Sequence, residues 1–223
     1  MNCKLVTRRM KTQAGEENET VWKVGTPIMA HNQNASLKLC SNSAVHYYSS
    51  PLLASFFNPV HANIQNPRAF VCTPIGETIT DGTKCGARGL ILGEEIDCSA
   101  VTVNQRVRFA ILCVMQVYRA PIWTKWAKAW LDKSDRSASG AYAAYAAADA
   151  DADAAYAARA AADAASGAAG TSAAYAAYAA YAAADAAAAY AAYDAAAAAD
   201  ARQKVLNNCA DVVRQHYLKA PQF

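Results

Sequence analysis

No window of the 223-residue chain holds eighteen strongly apolar residues, so no membrane-spanning helix is expected. The alanine-rich region comes nearest, but alanine is a weak hydrophobe and each turn also carries Tyr or Asp, which is expensive in hydrocarbon. Residues 1–30 lack the apolar core of a secretory leader. The sequence has no Cys-x-x-Cys pair, no glycine-rich phosphate loop, no His-Glu-x-x-His and no nucleophile elbow. Charge of one sign is also scarce: the net value is +3, too small to mark a nucleic-acid binder. Basic residues gather only at Arg8, Arg9 and Lys11 and at Lys125, Lys128 and Lys133, and nucleic acid is not expected as a partner.

Seven cysteines are present: Cys3, Cys40, Cys72, Cys85, Cys98, Cys113 and Cys209. An odd number at wide spacings fits reduced thiols of a cytosolic protein, used mostly as small buried hydrophobes. A zinc site from Cys72, Cys85, Cys98 and His61 would match no ligand-spacing pattern, and no metal or cofactor is expected.

Composition changes sharply near residue 138. Residues 1–100 read as an α+β domain, 101–138 as Trp-rich connecting helices, 139–201 as an alanine-rich tract, and 202–223 as a C-terminal helix and tail. The fold class expected is α+β: a small, mostly antiparallel sheet followed by long alanine-rich helices forming an antiparallel hairpin or bundle.

Alanine is the best helix former. Helices are expected over 141–165 and 172–201, separated by Ser166–Ser172, where Gly167 would stop one helix and Thr171 or Ser172 cap the next. On the first helix Tyr142, Tyr145, Asp149, Asp153, Tyr156 and Asp163 fall in a stripe roughly 80° wide, with Asp151 opposite and Arg159 beside it. The second repeats the idea with Tyr175, Tyr178, Tyr181 and Asp185, then Tyr190, Tyr193, Asp194 and Asp200. Each Tyr buries far more area than Ala, so packing energy is expected chiefly from the tyrosines. Tyr142, Tyr145, Tyr156, Tyr175, Tyr178 and Tyr181 are candidates for a partner or oligomer surface. Antifreeze-type alanine helices rely on spaced threonines, and the tract offers only Thr171.

In the front region, Cys3–Val6, Thr20–Val24, Leu37–Cys40, Ala69–Cys72, Glu77–Thr80 and Cys85–Ile91 read as strands. Asp81–Gly82 marks a turn. Pro51 opens a helical turn, Pro51–Phe57, that Asn58–Pro59 closes. A longer helix starts at Thr102 and runs toward Tyr118. Pro121 restarts the chain as Ile122–Asp132, with Trp123, Trp126 and Trp130 down one face as packing residues. A last helix, Arg202–Leu218, carries Val205, Leu206, Cys209, Val212, Val213 and Tyr217 on one face and is expected to extend the second alanine helix; Phe223 is a candidate anchor.

For chemistry, His46 or His61 with Glu77, Asp81 or Glu94, and Cys40 or Cys72 as nucleophile, would supply an acid–base or covalent site, although nothing in the sequence fixes such pairs in space. The run from Ser41 to Phe70 is dense in Ser, Asn, His, Tyr and Arg, which bind small polar ligands by hydrogen bonding and stacking. His46, Tyr47, Tyr48, Asn58, His61 and Arg68 are the ligand-binding candidates, and a nucleotide-like molecule is the ligand class they suit.

LCSNSAVHYYSSPLLASFFNPVHANIQNPRAF, DGTKCGARG, QRVRFAILC, WAKAWLDKSDRSASGAYAAYA and CADVVRQHYLK span nearly the whole chain. They resemble a group of uncharacterised bacterial and phage proteins in which a small N-terminal domain precedes an alanine-rich helical tract. The similarity is most specific at Leu39–Cys40, His46, Pro51–Leu53 and Asn58–Pro59. It implies a phage or mobile-element origin and no catalytic role for any residue. The resulting expectation is a non-enzymatic accessory protein of the (host) cytoplasm that binds a host protein or a small nucleotide-like ligand, as an anti-defence inhibitor or sponge, and forms a homo-oligomer. The alternatives are a nucleotide-processing enzyme with a His-based site and a structural protein assembling through its alanine helices.

Overall fold

The computed structural model describes residues 1–13, 15, 19–98, 101–148, 152–166, 169–190 and 195–217. Its fold is α+β, an antiparallel sheet region followed by helices. Contacts divide the chain into two compact units, Met1–Ala100 and Val101–Leu218.

The first unit is organised by one hairpin, β6 (Arg68–Thr80) and β7 (Cys85–Ile96). Its turn is built by Asp81, whose Oδ1 accepts from the backbone N–H of Thr83 (2.9 Å) and Lys84 (2.9 Å) and from the Thr83 hydroxyl (2.7 Å). The sequence suggests two short strands here, Ala69–Cys72 and Glu77–Thr80, on either side of Pro74 and Gly76. The chain instead runs through them: register shifts between Phe70/Cys72 and Ile75/Thr78 absorb the misfit, and Gly76 sits at φ 73, a bulge that only glycine takes without strain.

β1 (Cys3–Val6) pairs with β6; β4 (Pro27–Met29) and β5 (Val45–Tyr47) follow one another along the other edge of β7. All pairings are antiparallel. Tyr48 then bridges back to Cys3 through reciprocal backbone bonds of 2.8 and 2.9 Å, so β1, β6, β7 and β5 form a closed hydrogen-bonded circuit. The bulges supply the curl that closure needs. Val6, Trp22, Tyr47, Phe70, Leu90 and Leu92 form its buried cluster. The two-residue strands β2 (Lys11–Thr12) and β3 (Thr20–Val21) pair beside it, β3 being shorter than the Thr20–Val24 expected.

Leu37–Cys40, expected as a strand, is a loop. Its backbone donors go to side chains instead of a ladder: Lys38 N–H to Ser43 Oγ (3.1 Å) and Cys40 N–H to His46 Nε2 (2.9 Å). Helix α1 (Pro51–His61) begins at Ser50, whose side chain accepts from Leu53 N–H. It runs past Asn58–Pro59, where closure was expected. Pro59 lacks only the N–H that would reach the Ser55 carbonyl, and Asn58 holds the end of the helix by pairing both polar atoms of its amide with the backbone of Ile64 (2.9 and 3.1 Å).

Among the described residues, the second unit is a bundle of six helices: α2 (Val103–Val114), α3 (Pro121–Asp132), α4 (Ala138–Ala147), α5 (Ala152–Ser166), α6 (Ala169–Tyr190) and α7 (Ala195–Tyr217). α2 starts on a capping box in which Thr102 and Gln105 satisfy each other's backbone N–H. It lies against α5, α6 and α7, which explains why Val107, Phe109, Ala110, Ile111, Cys113 and Val114 are all buried. Trp123, Trp126 and Trp130 are buried too, and Trp123 Nε1 donates to the carbonyl of Ala158 on α5 (3.1 Å). At the far end, the Tyr217 hydroxyl donates to the carbonyl of Gln105 (2.9 Å).

The two expected alanine helices, 141–165 and 172–201, are interrupted: α4 gives way to α5, and α6 to α7, and in each case the two helices pack on one another. Thr171 and Ser172, expected as caps, lie inside α6. In a tract where nearly every residue has the same helix propensity, local sequence cannot place the ends, and packing does. The tyrosines are not the principal buried groups among the described residues. Ala157, Ala158, Ala161, Ala164, Ala179, Ala180, Ala183 and Ala184 are fully buried, whereas Tyr142 and Tyr178 are 63% and 45% exposed. Small methyl faces let α5 and α6 approach closely, so the alanines form the interface and leave tyrosines at the surface. Gly167, Asp149, Asp151, Tyr193, Asp194 and Phe223 lie outside the described residues, as do the side chains of Asp153, Tyr156, Arg159, Tyr175 and Tyr190. No helix among the described residues is long and apolar enough to cross a membrane.

Candidate functional site

The first unit contains a cavity of about 560 Å³, within the size range of small-molecule sites. β1 contributes Lys4, whose cross-strand partner is the buried Phe70, so the lysine stem lies on the strand face that packs inward. Lys4 Nζ donates to the carbonyl of His46 (2.6 Å) and stands 5.1 Å from the centre of the Trp22 ring. Burial pulls the Lys4 ammonium down to about 8, and the nearby thiols of Cys72 and Cys3 only partly oppose that shift.

Three histidines, His31, His46 and His61, line the same cavity. The Cys40 N–H donates to His46 Nε2, so the neutral ring carries its proton on Nδ1. Burial first, then the charges of Lys4 and Lys84, lower its pKa to about 4. His61, at the last position of α1, is stacked with Phe57 (5.5 Å) and with Tyr48 (5.7 Å), and its Nδ1 lies 3.2 Å from the Tyr48 hydroxyl. Burial, with Lys84 second, lowers it to about 3. Both rings are therefore uncharged at neutral pH.

The second lysine, Lys84, follows the hairpin turn. Its Nζ lies 2.8 Å from Cys40 Sγ, and Cys40 itself is held at φ 57, a left-handed conformation that costs a cysteine roughly 1–2 kcal/mol. None of the described residues that line the cavity is acidic. The nearby carboxylate, Asp81, is engaged in its own turn.

Of the six ligand-binding candidates, His46, Tyr48 and His61 come together on the cavity wall. Tyr47, one residue from two of them, points into the buried cluster because alternate strand positions face opposite ways. Asn58 spends its amide on the end of α1. Arg68 is paired bidentately with Glu95 (2.7 and 2.5 Å) outside the cavity lining. Cys40 also lines the cavity, whereas Cys72 is buried. Glu77 pairs with Arg88 (3.1 Å). Among the described residues, no three metal-ligating side chains converge. The local sequence around Lys4, Trp22 and Lys84 carries no signal of a site. The closed strand circuit brings them together, and only the spatial register of β1, β5 and β7 reveals it.

Arg8, Arg9 and Lys11 line a second, more open groove with Glu19, Gln65 and Asn66. Lys11 is already paired there with Glu19 (2.5 Å). On the second unit, Tyr145 is half-buried and Tyr181 lies under the guanidinium of Arg202 (5.7 Å), which also pairs with Asp185 (2.8 Å). Comparison of the chain with protein-family models and curated proteins, and of its fold with solved structures, returns no match.

Proposed function

We propose that the first unit binds a small, anionic, nucleotide-like molecule and acts by holding it. The observation that carries this reading is the charge of the cavity wall: Lys4 and Lys84 line it, and no acidic residue does among those described. An anion entering this space meets cations that no carboxylate neutralises, in surroundings where the interaction is stronger than in water. Trp22, Tyr48 and the uncharged His61 add flat surfaces of the kind that stack on a heteroaromatic ring. The histidines support binding over catalysis. His46 accepts from the Cys40 amide and His61 lies beside the Tyr48 hydroxyl, contacts that suit positioned, uncharged rings facing a bound molecule. Sequestration of such a ligand would suit a sponge-type accessory protein, with the exposed tyrosines of the second unit as a surface for a partner or a second copy.

Native mass spectrometry of freshly purified protein, before and after denaturation, tests the reading. A released small mass with phosphate and a heteroaromatic ring supports it. A protein that arrives empty and also fails to take up added ADP counts against it.

A further inference from the structure

We infer that Lys4 forms a reversible imine with a carbonyl group of the bound molecule, so that the ligand class of this cavity includes small aldehydes or ketones that carry an anionic group. The inference rests on the binding reading above and extends it to a covalent step.

Three features of the structure lead to Lys4. Lys4 is half-buried and lines the cavity instead of standing free on the surface. Its located contacts are a neutral carbonyl, that of His46 at 2.6 Å, and the face of Trp22; neither carries the full negative charge that would hold a desolvated ammonium in its protonated form. A second cation, Lys84, lines the same cavity and is suited to an anionic tail while Lys4 meets the carbonyl. Lysines made nucleophilic in this way sit in desolvated surroundings or beside another cation; Lys4 meets the first condition.

The step balances without any other reactant. The unprotonated Nζ attacks the carbonyl carbon, and its lone pair forms the C–N bond. Proton transfer from nitrogen to oxygen gives a carbinolamine. Loss of the hydroxyl as water leaves the C=N bond, and hydrolysis reverses the sequence. No electron is gained or lost. With its pKa near 8, about one-tenth of Lys4 is unprotonated at pH 7, against less than one-thousandth of an ordinary lysine. The indole of Trp22 on one side keeps water from surrounding the amine.

Pyridoxal 5′-phosphate is the probe, being an aromatic aldehyde with a phosphate. Pyridoxine 5′-phosphate, which has an alcohol in place of the aldehyde, is its control. The full-length protein is titrated at pH 7 with each, then treated with borohydride and peptide-mapped. The expected result is saturable uptake of both phosphates, a single equivalent fixed by borohydride only with the aldehyde, and its location on Lys4. Lys4→Met and Lys4→Arg are both expected to lose the fixed label at least tenfold. Lys4→Arg keeps a cation and is expected still to bind the alcohol, which shows that the variant is folded and its cavity intact. Two phosphates bound with no fixed adduct, or label spread over surface lysines, overturns the imine alone. Failure of either phosphate to bind overturns the imine together with the binding reading beneath it.

Discussion

His61 is expected to make the first unit labile in acid, and His61→Phe isolates the effect. The ring is uncharged in the folded chain because burial and Lys84 hold its pKa near 3, against 6.5 for an ordinary histidine. Above pH 6.5 it is neutral in both states and adds no pH dependence. Between 6.5 and 3 the unfolded chain takes a proton that the folded chain refuses, so stability present above 6.5 is lost as the pH falls. A gap of 3.5 units has a ceiling of about 5 kcal/mol, and water at the cavity mouth reduces it to roughly 2–3 kcal/mol. By pH 4 most of that loss has occurred. Phenylalanine keeps the stack on Phe57 and Tyr48 and cannot titrate, but it forfeits the contact with the Tyr48 hydroxyl, worth about 1 kcal/mol. The variant is therefore less stable than the native chain near pH 7 and more stable near pH 4, and the two curves cross. Denaturant-dependent hydrogen exchange, read on peptides from β6 and β7, measures the first unit without interference from the helical one. Parallel curves between pH 7 and pH 4 would refute the reasoning.

Lys4→Met should show the opposite edge of the same physics. The native penalty for a partly buried ammonium is complete below pH 8 and disappears toward 10.5, so the native chain should gain roughly 1–2 kcal/mol on the variant across that window. Gly89→Ala should weaken the first unit by several kcal/mol, because its Cβ would meet the Ile28 carbonyl at 2.9 Å and the Met29 sulfur at 2.5 Å on the paired strand β4; a thermal midpoint within error of native would contradict that placement. Tyr142→Ala should change the stability of the helical unit by less than about 0.5 kcal/mol, since the side chain is 63% exposed, and calorimetry of the full-length protein checks this.

What could be read from the sequence follows the strength of its local signals. The turn at Asp81–Gly82, the helix start at Thr102 and the restart at Pro121 are local chemistry, and each appears in the fold. The α+β class was also legible, because two kinds of hydrophobic period occupy separate parts of the chain. Helix ends within the alanine tract were not, since equal propensities carry no boundary and the break between α4 and α5 is a matter of packing. The burial of alanine in place of tyrosine escaped for a related reason: residue size argues for Tyr, but the close approach of α5 and α6 selects the residue that fits. At the cavity, the density of polar and aromatic residues after Ser41 pointed to His46, Tyr48 and His61. Lys4, Trp22 and Lys84 are 18 residues or more apart in the chain and meet only through strand closure, which no local pattern encodes.

The binding of an anion by this cavity is tested most directly by titrating the native protein with ADP and following backbone and His side-chain NMR signals at pH 7. The account expects saturable shifts at Lys4, Trp22, His46, His61 and Lys84, weakened by salt and lost in the Lys4→Met, Lys84→Met double variant. No shift at these residues, or shifts confined to the Arg8–Arg9 groove, would contradict it.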